Sequence, residues 1–252
     1  MKAQSLLRDR DTVRKDEDGK PIKMSGATIN RYTVALSTAF NFGIKRLKWI
    51  SHNPVADVDK FKEPLNHIRF LSEQEIIDLL SACKRSQNPH LFNLVMIGIA
   101  TGARRNEIAC MKWEDVNQDG TRITLPKTKN GQVRSVFVEG RASELLKKMR
   151  SEKLDGQVLL FPSPNDPNRP IDFRHAWEHA LKTAKIKGVR FHDLRHSTAS
   201  HLAMNGANAV EIAEVLGHKT LAMVKRYTHL SNSHTSKVVA TMAERILGHV
   251  EI

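Results

Sequence analysis

Residues 121–138 read TRITLPKTKNGQVRSVFV. TRITL and VRSVFV alternate in polarity, as half-buried strands do, and Asn130-Gly131 between them is a favoured pair for a tight hairpin turn. No other segment makes as convincing a strand. After Gly140 the pattern is helical, over 141–153, 173–185, 192–205, 208–216, 219–229 and 233–248. Before the hairpin, LFNLVMIGIA (91–100) reads as a buried helix, and TGARRNEIACMKW (101–113) opens a short one after Gly102. Ser72-Glu73-Gln74-Glu75 has the form of a capping box ahead of Ile76, Ile77, Leu79 and Leu80. The sequence therefore predicts a mostly α fold with a small antiparallel β-sheet, and it contains no internal repeat.

Further upstream, Ile29, Tyr32, Leu36, Phe40, Ile44 and Leu47 recur at steps of three or four. That stripe predicts a helix within 27–49 whose core includes Tyr32. Lys45, Arg46 and Lys48 near its end suit the negative pole of the helix dipole. DRDTVRKDEDGKPIKMS (9–25) is charged and nearly free of large apolar residues, which reads as a loop. HNPVADVDKFKEPLNHIRF (52–70), with two prolines and mixed charge, separates two units. The expected organisation is a small helical unit over 1–62, a linker over 63–70 and a larger unit over 71–252.

Lys and Arg total 40 against 27 Asp and Glu in 252 residues, a formal charge of +13. An excess of that size favours a polyanionic partner, with nucleic acid ahead of a membrane surface. The N-terminal MKAQSLLRDRDTV turns charged before an apolar core can develop, so it does not read as a secretory signal. LFNLVMIGIA is about half the length of a membrane span. Cys83 and Cys110 have neither metal-ligand spacing nor a disulfide framework. They read as small apolar filler in a reducing cytoplasm.

Four segments carry candidate chemistry: TGARRNEI (101–108), KTKNGQVR (127–134), HDLRHSTASHL (192–202) and LGHKTLAMVKRYTH (216–229). Glu107 lies three residues after Arg104, within reach of its guanidinium if both sit on one helix. His192, Arg195 and His196 stand at i, i+3 and i+4, on one helical face. Gly217 suits the sharp end of a helix. Tyr227 is one of only two tyrosines and follows Lys225-Arg226 directly.

Together, in this order and spacing, the four segments resemble the catalytic domain of the tyrosine recombinases, the phage integrase family, over roughly residues 68–232. Ala27 to Phe61 resembles the later part of that family's helical core-binding domain, which would be partial here. The resemblance implies a catalytic fold that breaks and rejoins DNA. Arg104 and Arg195 would bind the scissile phosphate, where a planar fork of donors fits two oxygens. Glu107 would support Arg104, with Arg105 on the surface or against a backbone phosphate. Lys129, with Lys127 as its rival two residues away, would protonate the leaving 5′ oxygen. His192 would move protons near the nucleophile, and His196, also in the family pattern, would be a packing or hydrogen-bonding residue, as a satisfied core histidine is. His218 would donate to the phosphate, and Tyr227 would attack it. The expected partners are double-stranded DNA, a homotetramer on two duplexes and accessory DNA-bending or directionality proteins. No cofactor, metal or membrane is implied.

Two other classes compete. His175, Glu178 and His179 spell H-x-x-E-H, a zinc-peptidase pattern, although no third ligand is marked downstream. A protein that binds DNA without cutting it would have the same charge. Within the enzymes, a type IB topoisomerase shares the chemistry.

Overall fold

The computed structural model describes residues 11–15, 19–63, 69–125 and 133–247. The chain forms two compact units, Met1–His67 and Ile68–Ile252.

In the first unit, β1 (Asp11–Lys15) pairs antiparallel with β2 (Pro21–Lys23). The loop expected over 9–25 thus contains a hairpin. Every residue of β2 is exposed, so no apolar face marks the strand in the sequence. Helix α1 (Gly26–Phe42) starts at Ser25, whose Oγ accepts from the Thr28 amide at 3.2 Å. It runs on as a π-helical turn, Gly43–Leu47, and stops at Lys48 in a left-handed conformation. Buried Asn30 clamps the following chain: its Nδ2 donates to the Phe61 carbonyl and its Oδ1 accepts from the Phe61 amide, each at 2.9 Å. Ile29 is fully buried, but Tyr32 is 54% exposed. Tyr32 is therefore not a core residue, because the segment that packs on α1 grips the level of Ile29 and Asn30.

The second unit begins with α2 (Glu73–Lys84), which carries the expected capping box. The Glu75 amide donates to Ser72 Oγ, and the Ser72 amide donates to Glu75 Oε2. Helix α3 (Leu91–Thr101) buries Leu91, Leu94, Val95 and Ile97. It ends at Gly102, where φ is +58° and an added methyl would meet Leu216 Cδ2 at 2.5 Å. Short α4 (Arg105–Ala109) follows. Strands β3 (Arg122–Leu125) and β4 (Arg134–Phe137) pair antiparallel, with Ile123 opposite Val136 and Leu125 opposite Arg134. The Asn130-Gly131 turn lies outside the described residues.

After α5 (Arg141–Ser151) comes a third hairpin, β5 (Pro162–Ser163) with β6 (Asp166–Pro170). The expectation of helices alone after Gly140 fails here. This hairpin is short, proline-rich and mostly exposed, so it lacks strand alternation. The chain then forms α6 (Arg174–Thr183), α7 (Asp193–Met204), α8 (Ala209–Leu216) and α9 (Asn232–Leu247). Residues 219–229 do not form the single helix expected of them. They make two 3-10 turns, Leu221–Met223 and Lys225–Ser231. A 3-10 turn eclipses residues three apart, and buried Val224 and Tyr227 have that spacing.

Helix α7 is the hub. Ser197, Thr198, Ala199, Ser200 and Ala203 are all buried, so its small residues face neighbours on nearly every side. Ser197 Oγ accepts from the Leu71 amide at 2.9 Å, and Thr198 Oγ1 donates to the Ile99 carbonyl at 2.7 Å. One apolar cluster lies around α2, α3 and the β3–β4 hairpin. A smaller one joins Ala199 and Ala203 to Ile212, Leu216, Val224 and Tyr227. Cys83 is buried as expected, whereas Cys110 is exposed, since it caps α4 at the surface. Among the described residues, no helix is long and apolar enough to cross a membrane.

Candidate active site

Arg104 is not inside a helix but at its N-cap. Its extended backbone lets its amide donate to Glu107 Oε2 at 2.8 Å, while its Nη1 donates to Glu107 Oε1 at 2.7 Å. Glu107 thus holds both ends of the same arginine. A third donor reaches it from β4: Arg134 Nη2 lies 2.8 Å from Glu107 Oε2. Burial alone would raise the Glu107 carboxyl, but the hydrogen bonds from Arg104 and the charges of both arginines hold it below the usual range. Arg105 points away, over the Phe173 ring and towards Asp172.

Arg195 extends from α7 and is 3% exposed. Its Nη1 donates to the Gly102 carbonyl at 2.8 Å, and its Nη2 is buried without a partner among the described residues. Burial, with the charges of Arg104 and Arg134, pulls this guanidinium down to about 10. A cation kept dry beside two others is costly unless an anion joins it.

Tyr227 is 1% exposed, and its hydroxyl lies 2.5 Å from His196 Nδ1. The two rings tilt at 6.0 Å between centroids, and the His192 ring stands edge-on to His196 at 5.3 Å. The sequence favoured His192 as the proton carrier nearest the tyrosine, yet His196 makes the contact. Burial raises the phenol of Tyr227, although Arg226 and Arg195 act against that rise. Burial, then neighbouring charge, pushes His196 down to about 4, so in the free protein its ring is neutral and a weaker base than a free imidazole.

His218 follows Gly217, which ends α8 with φ +64°. Its Nδ1 is buried and without a partner among the described residues. Burial and the charges of Arg195, Arg104 and Arg134 push it down to about 4. Lys127 and Lys129 lie outside the described residues. Arg195, Arg104 and Arg134 thus bring three guanidinium groups together with one balancing carboxylate, neutral imidazoles and a phenol. Such a set can bind a phosphate-like dianion and move a proton to or from a hydroxyl.

The depressed histidines predict a pH signature. Unfolded imidazoles titrate near 6.5. His196 and His218, held at about 4, favour the folded state in full above pH 6.5. That contribution is lost as pH falls from 6.5 through 4, by on the order of 1 kcal/mol per unit for each group. The melting temperature should therefore fall more steeply over this window in the native protein than in a His196→Asn/His218→Asn double variant. Parallel curves would remove the linkage.

Gly217 is also sensitive. A methyl there would lie 2.5 Å from Arg134 Cδ, in a backbone region that alanine avoids. Gly217→Ala should destabilise the fold by roughly 2 kcal/mol in denaturant unfolding. An unchanged midpoint would mean that Arg134 is not wedged in place.

Arg134 was not singled out from the sequence, although a signal exists. It shares strand parity with buried Val136 and Val138, an inward position that a charged residue seldom takes without a partner. The zinc pattern gains nothing: Glu178 faces Arg174 at 3.4 Å, and no group of three or more potential ligands forms among the described residues.

Residues 69–234 match the phage integrase family. The integrase of Haemophilus phage HP1 is 34% identical over 216 residues, which are 84% of this chain and 59% of that protein. A shufflon-specific DNA recombinase of Escherichia coli is 34% identical over 215 residues, 84% of this chain and 53% of that one. The chain thus spans between half and two thirds of these relatives. The solved catalytic domain of bacteriophage HP1 integrase superposes with a TM-score of 0.56 at 31% identity, over 74% of this chain and 100% of that domain.

Proposed function

The chain belongs to the phage integrase family, and on that premise we propose that it is a site-specific recombinase that breaks and rejoins DNA strands by transesterification. Tyr227 is the nucleophile. Its phenolic oxygen attacks a backbone phosphorus, the bond from phosphorus to the 5′ oxygen breaks, and the 3′ phosphate becomes esterified to the phenol. His196 Nδ1 takes the phenolic proton, with His192 as the next carrier. Lys129, or Lys127 beside it, protonates the departing 5′ oxygen; the case for the lysine rests on the family resemblance. Arg104, Arg195 and His218 hold the non-bridging oxygens as charge builds on them. Because the phosphotyrosyl bond conserves the energy of the broken strand, a 5′ hydroxyl from another duplex reseals it without a nucleotide. Successive exchanges call for a homotetramer on two duplexes, with accessory DNA-bending or directionality proteins, in a cytoplasmic setting.

The observation that carries this reading is the pairing of a buried phenol, hydrogen-bonded to His196, with a buried guanidinium whose charge it feels and whose Nη2 has no partner among the described residues. The test uses a pool of duplexes with randomised core sequence, each nicked close to a candidate cleavage position so that religation fails. The native protein should form an adduct that survives denaturant, and sequencing the trapped DNA should return one preferred core. No adduct would sink the proposal. Relaxation of plasmid lacking any preferred sequence would reassign the protein to the type IB topoisomerases.

A further inference from the structure

The residue that ties the site together is one the mechanism above does not use. Arg134 makes two hydrogen bonds in opposite directions. Nη2 donates to Glu107 Oε2 at 2.8 Å, and Nη1 donates to the carbonyl of Val215 at 2.9 Å. Val215 lies in the last turn of α8, where carbonyls have no helical partner. His218 is three residues further on. Gly217 passes so close that its Cβ position is 2.5 Å from Arg134 Cδ and 2.8 Å from Nη1. One guanidinium therefore spans the β3–β4 hairpin, the carboxylate that orients Arg104, and the helix end that aims His218.

We propose that Arg134 is a positioning residue that sets Arg104 and His218 in register with each other, by way of Glu107 and the Val215 carbonyl, without itself touching the phosphate. This rests on the recombinase reading. One observation favours an indirect role. Both Arg134 Nη atoms are already committed within the protein, whereas Arg195 keeps one Nη without a partner among the described residues. The structural basis is the planar fork: a guanidinium can reach two acceptors at a fixed angle, and an ammonium on a flexible stem cannot hold both. Burial lowers the Arg134 guanidinium, as expected for a cation shielded from water with a single carboxylate partner.

The test compares Arg134→Met, Arg134→Lys and Glu107→Gln with the native protein, using the nicked duplex recovered from the pool. Single-turnover adduct rate and DNA affinity are measured separately, with thermal melts as a check on folding. Arg134→Met should lower the adduct rate by about a hundredfold and leave affinity within about twofold, since phosphate contacts elsewhere supply most binding. Arg134→Lys, which keeps the charge but serves only one acceptor at a time, should lie between them. In the Glu107→Gln background, loss of Arg134 should cost less than in the native one, because the arm through Glu107 to Arg104 is already weakened and only the arm to His218 remains. A merely structural role would make the effects add and would track melting temperature.

If Arg134→Met does not fold, the same cycle is run with Arg134→Lys. Should Arg134→Met cleave at the native rate, or should its defect lie wholly in affinity, the positioning role is wrong while the recombinase reading stands. If the native protein forms no adduct, the recombinase reading fails, and this inference with it.

Discussion

Tyr227→Phe is expected to abolish covalent adduct formation while leaving DNA affinity within about twofold of native. The variant keeps the ring, which fills the small cluster with Ala199, Leu216 and Val224, and removes only the oxygen that would bond to phosphorus. The chain's other tyrosine, Tyr32, belongs to the other unit. The hydroxyl also has a structural partner. Without it, His196 Nδ1 loses its 2.5 Å contact and is left half-buried and unpaired. A net hydrogen bond of this kind contributes about 1 kcal/mol, so the melting temperature should fall by roughly 2–4 °C. Adduct formation at any measurable rate in Tyr227→Phe would show that the nucleophile has been misassigned.

Arg195→Met carries the second large expected effect, and its two halves point in opposite directions. Cleavage should fall by about a hundred- to a thousandfold, the range set by losing a preorganised donor aimed at developing charge. Stability should rise. In the free protein this cation is 3% exposed, holds one carbonyl at 2.8 Å and sits among the charges of Arg104 and Arg134. Replacing it with an apolar chain of similar length relieves that repulsion at the expense of one hydrogen bond. A gain of about 1 kcal/mol would raise the melting temperature by roughly 2–4 °C. A variant that melts lower yet cleaves normally would make Arg195 a core strut and remove it from phosphate binding.

The candidate site was legible in the sequence wherever its chemistry is local. Glu107 reaches Arg104 across three residues, and Gly217 fixes the turn before His218, so short motifs contain those relations whole. The histidines were harder to separate. His192 and His196 share one helical face, and which of them meets the phenol depends on how a segment 31 residues further along docks against α7. Arg134 was missed for a similar reason, since its partners lie 27 and 81 residues away. Periodicity misled for Tyr32: a helical stripe states which residues share a face, not whether another element covers it.

By itself, the sequence determined the helical character of the larger unit and the β3–β4 pair, and it put forward the candidate reactive side chains, because spacing, capping and turn chemistry act over a few residues. Only the tertiary structure decided that Tyr227 is buried on His196, that Arg195 holds the Gly102 carbonyl, and that Arg134 bridges a strand to a helix end. Those outcomes depend on the distance between groups far apart in the chain and on how much water remains between them. Both quantities come into being when the elements pack.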